Sequence, residues 1–155
     1  WKFNEWEMRG VPLRLEVGPR DIKAGQVMAV RRDTGEKLSL PGDPAALGPA
    51  VAGLLSDIQK NMFEKARRFR DENTRVAASF GELARIIEEH RGFAVAKWCG
   101  RAECEADIKV KTGATIRCLP QAGSAFAGAA LSLEGARCAI CGGEAEHVAY
   151  FARAY

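Results

Sequence analysis

Phe93-Ala94-Val95-Ala96-Lys97-Trp98-Cys99-Gly100-Arg101-Ala102-Glu103-Cys104 decides the fold of the C-terminal half. Phe93–Trp98 is an apolar run of strand length that leads straight into a cysteine, and a second cysteine follows in Cys-x4-Cys spacing. Much later comes Cys138-Ala139-Ile140-Cys141-Gly142-Gly143, a Cys-x2-Cys pair with glycines behind it. Two close pairs of this kind are the pattern of a four-thiolate zinc site. Each pair can fold as a local knuckle whose backbone amides point at the sulfurs. Gly142, and Gly100 on the other side, suit the turn because glycine tolerates positive φ. Four thiolates close the coordination tetrahedron and leave no position for water, which argues for a structural role. Reduced buried cysteines without metal, and disulfides, are the weaker readings. Cys118 stands apart from both pairs and reads as a small core residue.

Working outward, a helix is expected around Cys104–Lys111, a strand around Thr115–Cys118 and a last strand over Val148–Ala152. Gln121–Ala130 is rich in glycine and alanine and reads as a mobile loop. The region from Cys99 onward has few large apolar side chains. It would be marginal alone, so metal binding can supply folding free energy. Upstream, Ser79-Phe80-Gly81-Glu82 is a capping box that starts a helix with Leu83, Ile86 and Ile87 inward, ending near His90. His90 and His147 need no ligand role when four cysteines are present.

A long helix is expected over Ala45–Glu72, with Val51, Leu54, Leu55, Ile58, Met62, Ala66 and Phe69 as one apolar stripe. Lys60, Glu64, Lys65, Arg67, Arg68 and Arg70 read as its solvated face. Pro41-Gly42-Asp43-Pro44 breaks the chain before it and marks the expected domain boundary. Residues 1–9 read as a short helix or loop. Val11, Leu13, Leu15 and Val17 alternate with Arg14 and Glu16, which is the pattern of a half-buried strand. Gly18-Pro19-Arg20-Asp21 reads as a turn. A strand over Gln26–Arg32, a tight turn at Asp33-Thr34-Gly35 and a return over Glu36–Leu40 make a hairpin.

The bulk numbers set limits. The chain has 155 residues, 47% hydrophobic and 28% charged, which is a globular composition with room for one domain or two small ones. A net charge of +3 permits a nucleic-acid partner without demanding one. No apolar run approaches the ~18 residues of a membrane span, and Trp1–Gly10 is not a secretory leader. Five cysteines without a leader suggest a reducing compartment. A chain that opens on Trp1 inside an apparent element reads as a fragment. Glu7, Arg14, Asp21 and Lys37 are each ordinary solvated charges if taken alone. Together, two acids and two bases can serve the donor and acceptor edges of guanines, with Trp1, Phe3 and Trp6 as candidate stacking rings.

Trp1-Lys2-Phe3-Asn4-Glu5-Trp6-Glu7, Gly10-Val11-Pro12-Leu13-Arg14-Leu15-Glu16-Val17-Gly18-Pro19-Arg20-Asp21 and Phe151-Ala152-Arg153-Ala154-Tyr155 resemble prolyl-tRNA synthetase of the archaeal/eukaryotic type, a class II enzyme. The resemblance covers essentially the whole chain. It implies an α/β fold: residues 1–41 would be the C-terminal portion of an α/β anticodon-binding domain, and residues 44–155 an α+β zinc-binding C-terminal domain. It implies that Glu7, Arg14, Asp21 and Lys37 read the anticodon of tRNA(Pro), and that Cys99, Cys104, Cys138 and Cys141 bind structural zinc. ATP would bind in a catalytic domain that this stretch lacks, and Tyr155 would pack toward that domain. The parent would be a cytoplasmic, homodimeric proline–tRNA ligase. A free-standing zinc-stabilised RNA-binding module is the alternative, and an adaptor built on the long charged helix is a third.

Overall fold

The computed structural model describes residues 1–121 and 131–154. The expected loop at Gln121–Ala130 and the terminal Tyr155 therefore lie, but for Gln121, outside the described residues. The chain divides into two compact units, Trp1–Arg67 and Arg68–Tyr155, and the division falls within a long helix.

The first unit begins with helix α1 (Lys2–Met8), strand β1 (Leu13–Glu16) and helix α2 (Pro19–Lys23). Strands β2 (Gln26–Arg31) and β3 (Lys37–Pro41) complete an antiparallel sheet of order β1-β2-β3. The expected turn at Gly18–Asp21 is instead the start of α2. Pro19 fits the first helical position because its missing N–H has no helical partner there. Asp21 accepts the Gly18 amide at 2.9 Å and so caps the helix. The β2–β3 turn stands as expected.

Alternation in β1 is correct as geometry, but it does not bury a full face. Val11 and Val17 lie outside the strand, and Leu15 is 43% exposed. Burial in this unit falls on Val27, Ala29 and Val30 of the central strand and on Ile58. Helix α3 (Pro44–Glu72) runs as expected, yet Ile58 is its one buried residue; Leu55, Met62 and Phe69 are exposed. The stripe is thus covered at Ile58, half-covered at Val51 and Leu54, and exposed at Leu55, Met62 and Phe69. Asn61 on α3 donates to Asp33, whose carboxylate also takes two bonds from Arg31.

The second unit holds a four-stranded sheet of order β4-β5-β7-β6. The strands are β4 (Thr74–Ala77), β5 (Phe93–Trp98), β6 (Ala114–Cys118) and β7 (His147–Arg153). The β4–β5 pair is parallel; the other two pairs are antiparallel. Helix α4 (Phe80–Arg85) bridges the parallel pair and passes into a π-helical turn at Ile86–His90. Ser79 caps it through the Glu82 amide at 3.3 Å. The Glu82 carboxylate reaches back to the Ala78 amide, one residue further than the capping-box pattern expects. Helix α5 (Ala102–Thr112) joins β5 to β6.

Small side chains on β5 set the packing. Ala94 and Ala96 let the helix close onto the sheet, where Leu83, Ile86, Ile87, Ile108 and Phe151 form one core with them. Val95, Val148 and Tyr150 make a smaller cluster. Leu83 has no exposed surface, so Leu83→Ala is expected to destabilise this unit by about 2–5 kcal/mol. Ser79→Ala should cost about 1 kcal/mol through the lost cap. Denaturant unfolding of the two variants checks both the order and the gap.

Candidate metal centre and nucleic-acid interface

Register brings the cysteine pairs together. Trp98 at the end of β5 pairs with His147 at the start of β7, so the segments that leave these strands meet at one end of the sheet. Two backbone bonds fasten the second knuckle there: the Ala139 amide donates to Lys97 O at 2.9 Å, and the Glu146 amide to Trp98 O at 3.0 Å. Within it, the Gly142 amide donates to Cys138 O and the Cys138 amide to Gly143 O. Gly100 and Gly142 turn the two knuckles at φ of 79° and 70°, a region costly for other residues.

Cys99, Cys104, Cys138 and Cys141 thereby place four sulfurs within 4.8 Å of one another. The Cys99–Cys104 separation is 3.5 Å and the Cys99–Cys141 separation 3.9 Å, with all five cysteines unbridged. A tetrahedral ion held at ~2.3 Å by thiolates sets the sulfurs about 3.8 Å apart. The donor set and its spacing therefore fit a thiophilic metal ion. Cys99, Cys104 and Cys138 are buried, and Cys141 is exposed.

The electrostatics favour thiolates on one side of the cluster. Burial pushes the Cys99 thiol up, but the Arg101 side chain and amide, with Cys104 and Cys138, outweigh it and hold it at about 6. Cys141 is lowered first by the Gly143 amide. Cys104 is pushed up to about 12, by burial before anything else, then by its sulfur neighbours. His147 stacks on Trp98 at 5.7 Å. Cys118 is exposed on β6, where the register shifts, and not in the core as expected. The shift breaks the alternation that would have turned it inward.

In the first unit, cross-strand pairing aligns Arg14 with Val30 and Val30 with Lys37, and Glu16 with Met28. Arg14, Glu16 and Lys37 consequently share one sheet face. Arg14 Nη1 donates to Glu7 at 2.9 Å, and Arg14 Nε to Glu16 at 3.0 Å. The other Glu16 oxygen lies 3.7 Å from Lys37 Nζ. The Arg14 guanidinium also sits 4.0 Å from the Phe3 ring centre. Glu7, Arg14 and Lys37 are thus joined in one chain of charges through Glu16. Sequence reasoning missed Glu16, although its place two residues after Arg14 on the same strand face was a usable signal. Asp21 is spent in part on the Gly18 amide.

Comparison with known proteins finds matches in two parts of the chain. "Anticodon binding domain" matches residues 1–45, and "Prolyl-tRNA synthetase, C-terminal" matches residues 80–155. The chain belongs to the prolyl-tRNA synthetase family. A proline–tRNA ligase of Clostridioides difficile is 48% identical over the full chain, and this chain spans 30% of that relative. One from Symbiobacterium thermophilum is also 48% identical, with 31% of its length spanned. The crystal structure of prolyl-tRNA synthetase from Cryptosporidium parvum, complexed with L-proline and AMP, superposes with a TM-score of 0.81 at 30% identity. It covers all of this chain, which spans 31% of it. The chain thus has the family's α/β architecture and corresponds to the C-terminal part of the family's proteins.

The geometry makes a direct prediction about metal. Cobalt(II) titrated into the reduced chain should saturate at about one ion per chain with a thiolate charge-transfer band. Cys104→Ser should weaken that binding strongly, whereas Cys118→Ser should leave it unchanged.

Proposed function

We propose that this segment gives a proline–tRNA ligase its hold on the anticodon of tRNA(Pro). Residues 1–41 are the end of the anticodon-binding domain on this reading, and Glu7, Arg14, Asp21 and Lys37 are its readers. Residues 44–155 are a brace that carries one structural zinc on Cys99, Cys104, Cys138 and Cys141. The observation that supports the reading most is the Glu7–Arg14–Glu16–Lys37 chain of charges beside Phe3.

A guanine offers donors at N1 and N2 and acceptors at O6 and N7. In the free segment, Glu7 and Arg14 satisfy each other. An unstacked guanine can replace both partners at once, its donors facing Glu7 and its acceptors facing Arg14. Adenine carries an amino group where guanine has O6, so it would set a donor against Arg14's donors. The Phe3 ring supplies a flat surface of the kind on which splayed RNA bases stack.

Proline activation with ATP and transfer to the tRNA 3′ end belong to the catalytic part of such an enzyme, which the relatives' extra length accommodates. Trp1, Trp6, Met8, Val17 and Ile22 are exposed, and the rest of the enzyme covers them on this reading. The zinc centre is closed by four thiolates, so it supports structure and not chemistry. The enzyme acts in the cytoplasm as a homodimer. Among the described residues, no helix is long and apolar enough to cross a membrane.

Arg14→Ala in the enzyme that carries this segment should lower tRNA charging about tenfold or more, in line with ~1–3 kcal/mol per bidentate base contact. ATP–pyrophosphate exchange with proline should stay near its starting rate. An equal fall in both activities would contradict anticodon reading.

A further inference from the structure

Arg101 touches both halves of the cysteine cluster. Its Nη2 lies 2.8 Å from Cys141 Sγ, and its Nε lies 3.4 Å from Cys99 Sγ. These sulfurs belong to different knuckles, far apart in the chain. Arg101 is also the cap residue immediately before α5, with extended backbone angles, just after the Gly100 turn. Its backbone position is therefore fixed by the same turn that presents Cys99.

The surroundings leave space for this side chain. A Cβ built on Gly143 would lie 3.4 Å from Arg101 Nη2 and 3.4 Å from Cys141 Sγ. Gly143 thus borders the point where the guanidinium meets the sulfur. Arg137, the other arginine at this knuckle, does something different: its Nη1 donates to Gly142 O at 3.1 Å, a backbone oxygen.

We infer that Arg101 is a positioning residue and counter-charge for the metal–thiolate centre, its guanidinium clipping Cys99 to Cys141. The inference rests on the zinc reading given above. Zinc with four thiolates carries a net charge of −2, and three of the four cysteines are buried. Such a charge is costly away from water unless donors face it. The forked guanidinium offers two donors in a fixed plane and one positive charge, which a lysine cannot match at two sulfurs. With Arg101 in place, two knuckles that each hold half of the metal are also held to each other. Loss of one sulfur from zinc then leaves that sulfur beside the ion, ready to rebind. Arg101 would slow zinc escape more than it alters which residues bind.

The test uses the full chain loaded with zinc. Metal content is measured first, then the rate of zinc transfer to an excess of a chromogenic chelator. Arg101→Met should lose zinc about 10–100-fold faster, the usual scale for residues that support metal ligands. Arg101→Lys should fall between, because it keeps the charge and loses the second donor. Arg137→Met, which breaks a knuckle hydrogen bond without touching sulfur, should release zinc near the original rate. A wild-type rate in Arg101→Met overturns the inference, as does equal acceleration in Arg137→Met. If Arg101→Met does not fold, a wild-type rate in Arg101→Lys overturns it. Absence of zinc from the unsubstituted chain would instead strike the zinc reading itself, and shows at the metal-content step.

Discussion

Four sulfurs meet within 4.8 Å of one another at the open end of the C-terminal sheet, close enough for one metal ion to tie it. The long connection from β6 to β7 returns through the Cys138–Cys141 knuckle, and it docks on the last residues of β5. The core beneath is narrow. Ala94, Ala96, Ala114 and Ala149 line its strands, and Phe151, Leu83 and Ile108 are its large side chains with no exposure to speak of. Alanines allow close packing but bury little apolar area, at ~25 cal/mol per Å². A metal bound only by the folded arrangement adds its binding free energy to folding. That free energy offsets the conformational entropy lost in ordering the two knuckles.

The N-terminal unit follows a different economy. The ion pairs around Arg14 are partly exposed, and pairs of that kind contribute little to stability. Their value lies in position. Antiparallel register sets Arg14, Glu16 and Lys37 on one face, and Glu16 holds the two bases at once. On the proposed anticodon reading, acids and bases that neutralise each other in the free state exclude ligands that satisfy only one sign. Guanine satisfies both. Selectivity on this account comes from the cost of leaving a charge unpaired, as much as from the bonds gained.

Much of this was legible in the residues. The Phe93–Trp98 strand, the Ser79 cap, the Leu83–Ile86–Ile87 face and the membership of the cysteine cluster follow from periodicity, capping chemistry and spacing. Strand β4 was not legible. It is four residues long, it follows the C-terminal end of α3 at once, and Ala77 is its one buried residue. Helix α2 hid behind Gly18-Pro19, which is a turn signal as readily as a helix start. How much of the α3 stripe is buried was not legible, because periodicity reports which face is apolar and not whether anything covers it. Arg101 was missed because it acts on sulfurs that only the meeting of two knuckles brings close, and no local pattern shows that. Glu16 did carry a local signal beside Arg14, but its pairing with Lys37 depends on strand register.

Amide hydrogen exchange on the zinc-loaded chain, before and after chelation, tests the central claim most directly. If the thiolate centre holds the C-terminal unit together, metal removal collapses protection across Ala94–Trp98 and Val148–Phe151, the paired centre of the sheet. Protection in those strands that survives chelation unchanged would contradict it, and would show that the sheet stands without the metal.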